Sequence, residues 1–230
     1  MGLDGVELIL AVQESFKIQI ANEEAATLLT VGDLYKLIAK KVPAPDLKTC
    51  MTSAVFYRMR RGIETSTGAN RRDIRPTTLL ADLMPRDRRR ECWLRTQQAI
   101  NLKLPRLRHT NWIQSIFIVA GITAAVSWGV DAGYNLGALL PFSILGFLIG
   151  GLFIALTPWL AIELPNNVVT VGDLAKDVLA INYGRLASDI GSGSPKELWE
   201  ALRRIIVIQT AVPIEKITQE SRFVDDLGIN

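Results

Sequence analysis

At 230 residues, with 49% hydrophobic side chains and a formal net charge of +3, the chain has the length for two small domains and the apolar content to fill them. Two cysteines without a CxxC pair, Cys50 and Cys92, and a single histidine, His109, exclude a disulfide framework and a zinc ligand set. The small net charge conceals an uneven spread: seven acids against four bases in residues 1–46, fourteen bases against five acids in 58–108, and ten acids against seven bases in 163–230.

In chain order, Leu3, Val6, Ile9, Leu10 and Phe16 recur at helical spacing over residues 3–18, with Asp4, Glu7 and Glu14 on another arc. The pattern predicts an amphipathic helix with an acidic face. A second helix is expected after Thr30, whose hydroxyl caps it while Asp33 takes the third helical position, before Pro43 and Pro45 close the segment. Residues 50–67 read as the next helix, 68–78 as a loop, 79–83 as a short turn ahead of Pro85, and 86–100 as another helix.

Two long apolar runs follow, 112–130 and 136–162, neither containing Lys, Arg, Asp or Glu. Each reaches the roughly 20 residues that a helix needs to cross a bilayer, so a transmembrane hairpin over 111–162 is expected. Residues 131–135 between the runs are too few for a domain and force the helices antiparallel. Lys103, Arg106 and Arg108 lead into the first run, and the positive-inside bias then places both termini in the cytoplasm. The expected localisation is the plasma (inner) membrane, with two spans. The basic residues flanking the hairpin, Arg86, Arg88, Arg89, Arg90, Arg106 and Arg108, are expected to face the lipid surface or the chain's own acidic parts. No aromatic interleaving marks a nucleic-acid partner.

Beyond the runs, Thr170 opens a helix to about Ala180, residues 191–194 form a flexible linker, and Pro195 opens a helix carrying Leu198, Leu202, Ile205 and Ile206 on one side. Residues 212–221 are a loop. Two internal echoes are visible. Thr30-Val31-Gly32-Asp33-Leu34 recurs as Thr170-Val171-Gly172-Asp173-Leu174, and the stretch from Phe56 to Leu83 runs parallel to that from Leu202 to Leu227. Ile74-Arg75-Pro76-Thr77 there answers to Ile217-Thr218-Gln219-Glu220, and Leu80-Ala81-Asp82-Leu83 to Val224-Asp225-Asp226-Leu227. The soluble parts therefore read as two copies of one small helical unit.

These residues resemble acyl carrier proteins. Residues 217–228 are similar to the exit of that family's first helix and the long loop before its modified serine. Met1-Gly2-Leu3-Asp4-Gly5-Val6-Glu7-Leu8 is similar to the start of its second helix, and Thr30 to Leu34 to the entry of its last. The pieces stand in permuted order, so the resemblance implies a first bundle from residues 1–42 with 195–230, by circular permutation, because the chain is cut from a longer or tandem arrangement, or with the terminal halves pairing between two chains. A second, weaker copy would use 47–108 with 164–183, the hairpin being inserted in it. The implied fold class is all-α, carrier-like small helical bundles plus the two-helix transmembrane hairpin.

Carrier chemistry in that family depends on a serine hydroxyl that receives a phosphopantetheine arm. Gly2 occupies that place here, and glycine offers no nucleophilic atom. Pro85-Arg86-Asp87-Arg88 in the second copy offers no hydroxyl either. No cofactor, catalytic residue or metal ligand is therefore expected. The resemblance implies that Asp4, Glu7 and Glu14 form a docking face for a basic partner, one of acyl metabolism or another protein. The leading expectation is a non-enzymatic, membrane-anchored docking or scaffold protein, able to form homo-oligomers. The alternatives are an active carrier completed by another chain, or a small membrane channel or transporter.

Overall fold

The computed structural model describes residues 3–43, 50–131, 139–157, 160–191 and 193–229. Gly2, Pro45 and the connecting residues 132–135 lie outside them. The architecture is all-α. The helices are α1 (Leu3–Phe16), α2 (Asn22–Ala26), α3 (Val31–Lys41), α4 (Met51–Thr67), α5 (Leu80–Leu83), α6 (Arg89–Ile100), α7 (Asn111–Asp131), α8 (Leu139–Leu156), α9 (Val171–Ile181), α10 (Tyr183–Ile190) and α11 (Pro195–Thr210). The chain divides into two compact units, one from Met1–Pro85, Glu91–Pro105 and Asn166–Asn230, the other from Arg86–Arg90 and Arg106–Pro165.

In the first unit each long helix buries one stripe at the three-to-four-residue spacing of its apolar positions. Leu8, Val12 and Phe16 of α1, Val55, Met59 and Ile63 of α4, Leu174 and Val178 of α9, and Leu198, Leu202 and Ile206 of α11 are all buried. Helix starts are set by local chemistry. Thr30 and Asp33 cap α3 reciprocally: the Asp33 N–H donates to Thr30 Oγ1 at 3.1 Å, and the Thr30 N–H to Asp33 Oδ2 at 3.0 Å. Thr170 and Asp173 do the same for α9 at 3.1 Å in both directions.

The echo seen in the sequence is repeated in the hydrogen-bond wiring. Helix α4 ends at Gly68 with φ 74°, and α11 ends at Ala211 with φ 57°. After α4, Thr78 Oγ1 accepts from the Arg75 N–H at 2.9 Å and donates to the Asp73 carbonyl at 2.7 Å. After α11, Ser221 Oγ accepts from the Thr218 N–H at 3.0 Å and donates to the Lys216 carbonyl at 2.9 Å. The Val171 and Gly172 N–H groups then donate to Thr78 and Pro76, while those of Val31 and Gly32 donate to Ser221 and Gln219. Isolated antiparallel bridges close both copies, Leu79 with Thr170 and Thr30 with Arg222. Helices α6 and α1 likewise end alike, on buried Ile100 and Phe16, followed by the left-handed residues Asn101 and Lys17.

One detail of the sequence alignment shifts by a residue. Buried Leu80 matches buried Phe223, and Met84 matches Leu227, whereas Val224 is exposed. Helices α2 and α10 go beyond the sequence reading. α10 follows α9 directly through Asn182, and its Tyr183 ring packs on Phe16 at 5.1 Å between centroids.

In the second unit α7 and α8 pack side by side. A Cβ on Gly121 would run into the Gly146 backbone and one on Gly146 into the Gly121 backbone, so glycine at both positions permits the approach. The backbone of Arg108 exchanges hydrogen bonds with that of Glu163, at 2.8 and 2.9 Å, which brings the outer ends of the pair together and makes it antiparallel.

The expectation of two spans in the plasma (inner) membrane, with both termini cytoplasmic, is corrected here: among the described residues no helix is long and apolar enough to cross a membrane. The run 136–162, read as one long span, is helical in the described residues only over Leu139–Leu156 and leaves the helix at Thr157. Further on, Glu163 pairs with Arg108 in an isolated antiparallel bridge. Counting consecutive apolar residues overlooked where the helix stops.

Candidate functional site

Asp4, Glu7 and Glu14 are exposed on α1. Glu7 and Glu14 lie on an arc away from the buried Leu8, Val12 and Phe16, whereas Asp4, four residues before Leu8, continues that stripe into the exposed first turn. Val6 and Leu10, which the periodicity assigned to the core side, are instead 44% and 57% exposed and lie among the acids. The surface is therefore mixed, apolar side chains set between carboxylates. Glu14 forms an ion pair with Lys103, while Asp4 stands in the first turn, where the positive helix end favours it.

Gly2, which the resemblance sets against an arm-bearing serine, lies outside the described residues. The corresponding stretch of the second copy, Pro85 to Arg88, is described, and it carries no hydroxyl. Arg86 there pairs with Glu163 and donates to Thr110 Oγ1 at 3.1 Å. Arg89, buried, donates to the Ile162 carbonyl at 3.1 Å and stands 3.5 Å from the same Glu163 carboxylate. Arg88, Arg90 and Arg106 are exposed, and Arg108 is half-buried. Of the six arginines expected at a lipid surface, two thus turn onto one carboxylate within the second unit. His109 Nε2 lies 2.7 Å from the Thr157 carbonyl, a structural contact.

Two polar constructions in the first unit escaped the sequence reading. Asp177 on α9 is fully buried, 2.5 Å from Arg204 on α11 and 2.6 Å from Asn167 Nδ2. Burial pushes its carboxyl up to about 6, against the opposing pull of Arg204 and Asn167. Glu197 accepts at Oε2 from the Ser194 N–H that begins α11, at 3.1 Å, and at Oε1 from the Thr52 N–H and hydroxyl at the start of α4, at 2.9 and 2.8 Å. Burial alone would raise this carboxyl, but the bonds from Thr52, Ser194 and Cys50 outweigh it and hold it below its ordinary value. One side chain therefore caps the equivalent first helix of both copies. A glutamate two residues after Pro195 signalled the α11 cap, but nothing near Thr52 foretold the second.

Among the described residues no three His, Cys, Asp or Glu side chains are grouped to hold a metal ion. No protein-family model matches the chain, and no solved structure matches it.

Proposed function

We propose that this chain is a non-enzymatic docking or scaffold protein, built from two degenerate copies of a unit resembling an acyl carrier protein and devoid of the serine that would bear a phosphopantetheine arm. The observation that carries the reading is the recurrence of the same turn and cap hydrogen bonds in both copies, together with Gly2 and Arg86 where an arm-bearing hydroxyl would stand. What remains for such a unit is recognition. The exposed Asp4, Glu7 and Glu14, interleaved with Val6 and Leu10, suit a basic partner surface with apolar side chains at its centre. Charge sets the orientation and rate of encounter, and the apolar contacts slow release.

The test is incubation of the purified chain with a broad-specificity phosphopantetheinyl transferase and coenzyme A, read by intact mass. The expected result is an unchanged mass beside a fully modified carrier control. A phosphopantetheine adduct on any residue would overturn the reading in favour of an active carrier.

A further inference from the structure

Helices α4 and α11 open the two copies, and their arginines are partnered differently. Counted back from the left-handed residues that end these helices, Gly68 and Ala211, Arg60 answers to Arg203 and Arg61 to Arg204. Each copy uses the first of the two as a clamp on the loop that follows. Arg60 Nε donates to the Arg71 carbonyl at 2.7 Å, and Arg203 donates to the Ile214 carbonyl, eleven residues on in both cases. In the first copy Glu200, one turn earlier, pairs with Arg203 and Arg204 at 3.5 and 3.3 Å, and Arg204 also meets Asp177. The second copy has Tyr57 in the place of Glu200, so Arg60 and Arg61 lack that carboxylate.

The loop adds to the imbalance. The Arg60 clamp draws Arg71 and Arg72 to α4, and Arg75 Nε donates to the Arg72 carbonyl at 3.4 Å. Residues 60–75 thus carry five arginines against Glu64 and Asp73. Among the described residues none of the five makes an ion pair. At 100° per residue Tyr57, 53% exposed, falls between Arg60 and Arg61 on the outward side of α4. The result is an unneutralised basic surface with an aromatic ring at its centre.

We infer that this surface receives the α1 face of a second copy of the chain. Helix α1 carries three acids and no base, its Asp4 and Glu7 make no ion pair among the described residues, and Val6 and Leu10 stand exposed beside them. Charge and apolar character are therefore complementary between the two surfaces. Both belong to the first compact unit and both are exposed, so neither covers the other within one chain. The contact joins unlike faces, which leaves each chain one of each kind for its neighbours. It rests on the docking reading above and supplies the basic partner with an apolar centre that the reading requires.

The test is the molar mass of the full chain by light scattering across a dilution series, in a mild non-ionic detergent whose mass is subtracted. It is run at about 0.1 M and about 1 M salt, between which the screening length falls from about 10 Å to 3 Å. The mass is expected to rise above the 25.4 kDa of one chain with concentration at the lower salt, and association to weaken about tenfold or more at the higher. Asp4→Arg with Glu7→Arg in one variant, and Arg61→Glu with Arg72→Glu in another, should each weaken it to the same degree at unchanged helicity. Mixing the two variants should restore it, because each retains the face the other has lost. Should a double variant lose helicity, the single Glu7→Arg or Arg72→Glu takes its place. A single-chain mass at every concentration overturns the proposal. So does association that salt and the charge reversals leave unchanged, the behaviour of an apolar contact, or a mixture that restores nothing. Any of these outcomes leaves the docking reading standing with a different basic partner, since that reading falls only to a phosphopantetheine adduct.

Discussion

Gly32 and Gly172 occupy the same position in the two copies, second in a Val-Gly-Asp-Leu helix start, and are held there by the same restriction. A Cβ at Gly32 would stand 2.7 Å from the Gln219 carbonyl oxygen, and one at Gly172 would stand 2.8 Å from that of Pro76. Both obstacles are backbone, so relief requires moving a loop that is itself hydrogen-bonded to the glycine N–H. Alanine at either site is expected to cost about 1–3 kcal/mol, as overpacking does. Urea denaturation checks this, and a loss at one site with none at the other would contradict their equivalence. Glu197 is the second residue-scale case. Replacing it with alanine removes cap bonds from α4 and α11 together, an expected loss of about 2 kcal/mol at neutral pH, at roughly 1 kcal/mol per cap. Because its carboxyl is held below the ordinary value, this stabilisation is present above about pH 4.3 and is lost as pH falls through the folded-state value. Wild-type and Glu197→Ala stabilities should therefore converge in acid; a gap independent of pH would refute the charged cap.

Helices α9 and α11 meet across the buried Asp177–Arg204 pair, and here the sign is opposite. The folded carboxyl takes up a proton near pH 6 and an unfolded aspartate near about 3.9. The folded state therefore binds the extra proton between these limits, and the stability this confers is complete below about pH 4 and lost as pH rises through about 6. Relative to Asp177→Asn, the wild type should lose roughly 2 kcal/mol between pH 4 and 7, at about 1.4 kcal/mol per unit. Denaturant midpoints at four pH values measure it, and a constant difference would show that Arg204 keeps the carboxylate charged throughout. Most of the long helices were legible because apolar spacing and capping chemistry agree: Thr30 with Asp33, and Pro195 with its apolar stripe. The interhelical polar pairs were not, since Asp177 and Arg204 are brought together only by packing. Val6 and Leu10 misled for the same reason, because periodicity marks a stripe but not how wide a neighbour covers it.

For the whole molecule, the constant register between the two copies was partly visible in the repeated Thr-Val-Gly-Asp-Leu. The hydroxyl braces at Thr78 and Ser221 were hidden by their different residue types. The apolar runs were conspicuous in the sequence, yet their number of residues alone gave the wrong conclusion about spanning a membrane. The second run leaves its helix at Thr157, the residue before Pro158 in the sequence, where helical conformation is disfavoured, a stop signal that a count of apolar residues passes over. The proposed docking role rests on the claim that one folding unit is present twice. Hydrogen exchange resolved to single amides tests that claim most directly at Val31, Gly32, Val171 and Gly172, each of which donates to the loop that follows the first helix of its own copy. All four should exchange more slowly than the amides of the exposed loop residues around Arg71 and Arg72, and at comparable free energies of opening. Rapid exchange at Val31 and Gly32, with Val171 and Gly172 protected, would mean that residues 217–222 do not close onto α3 and would contradict the account.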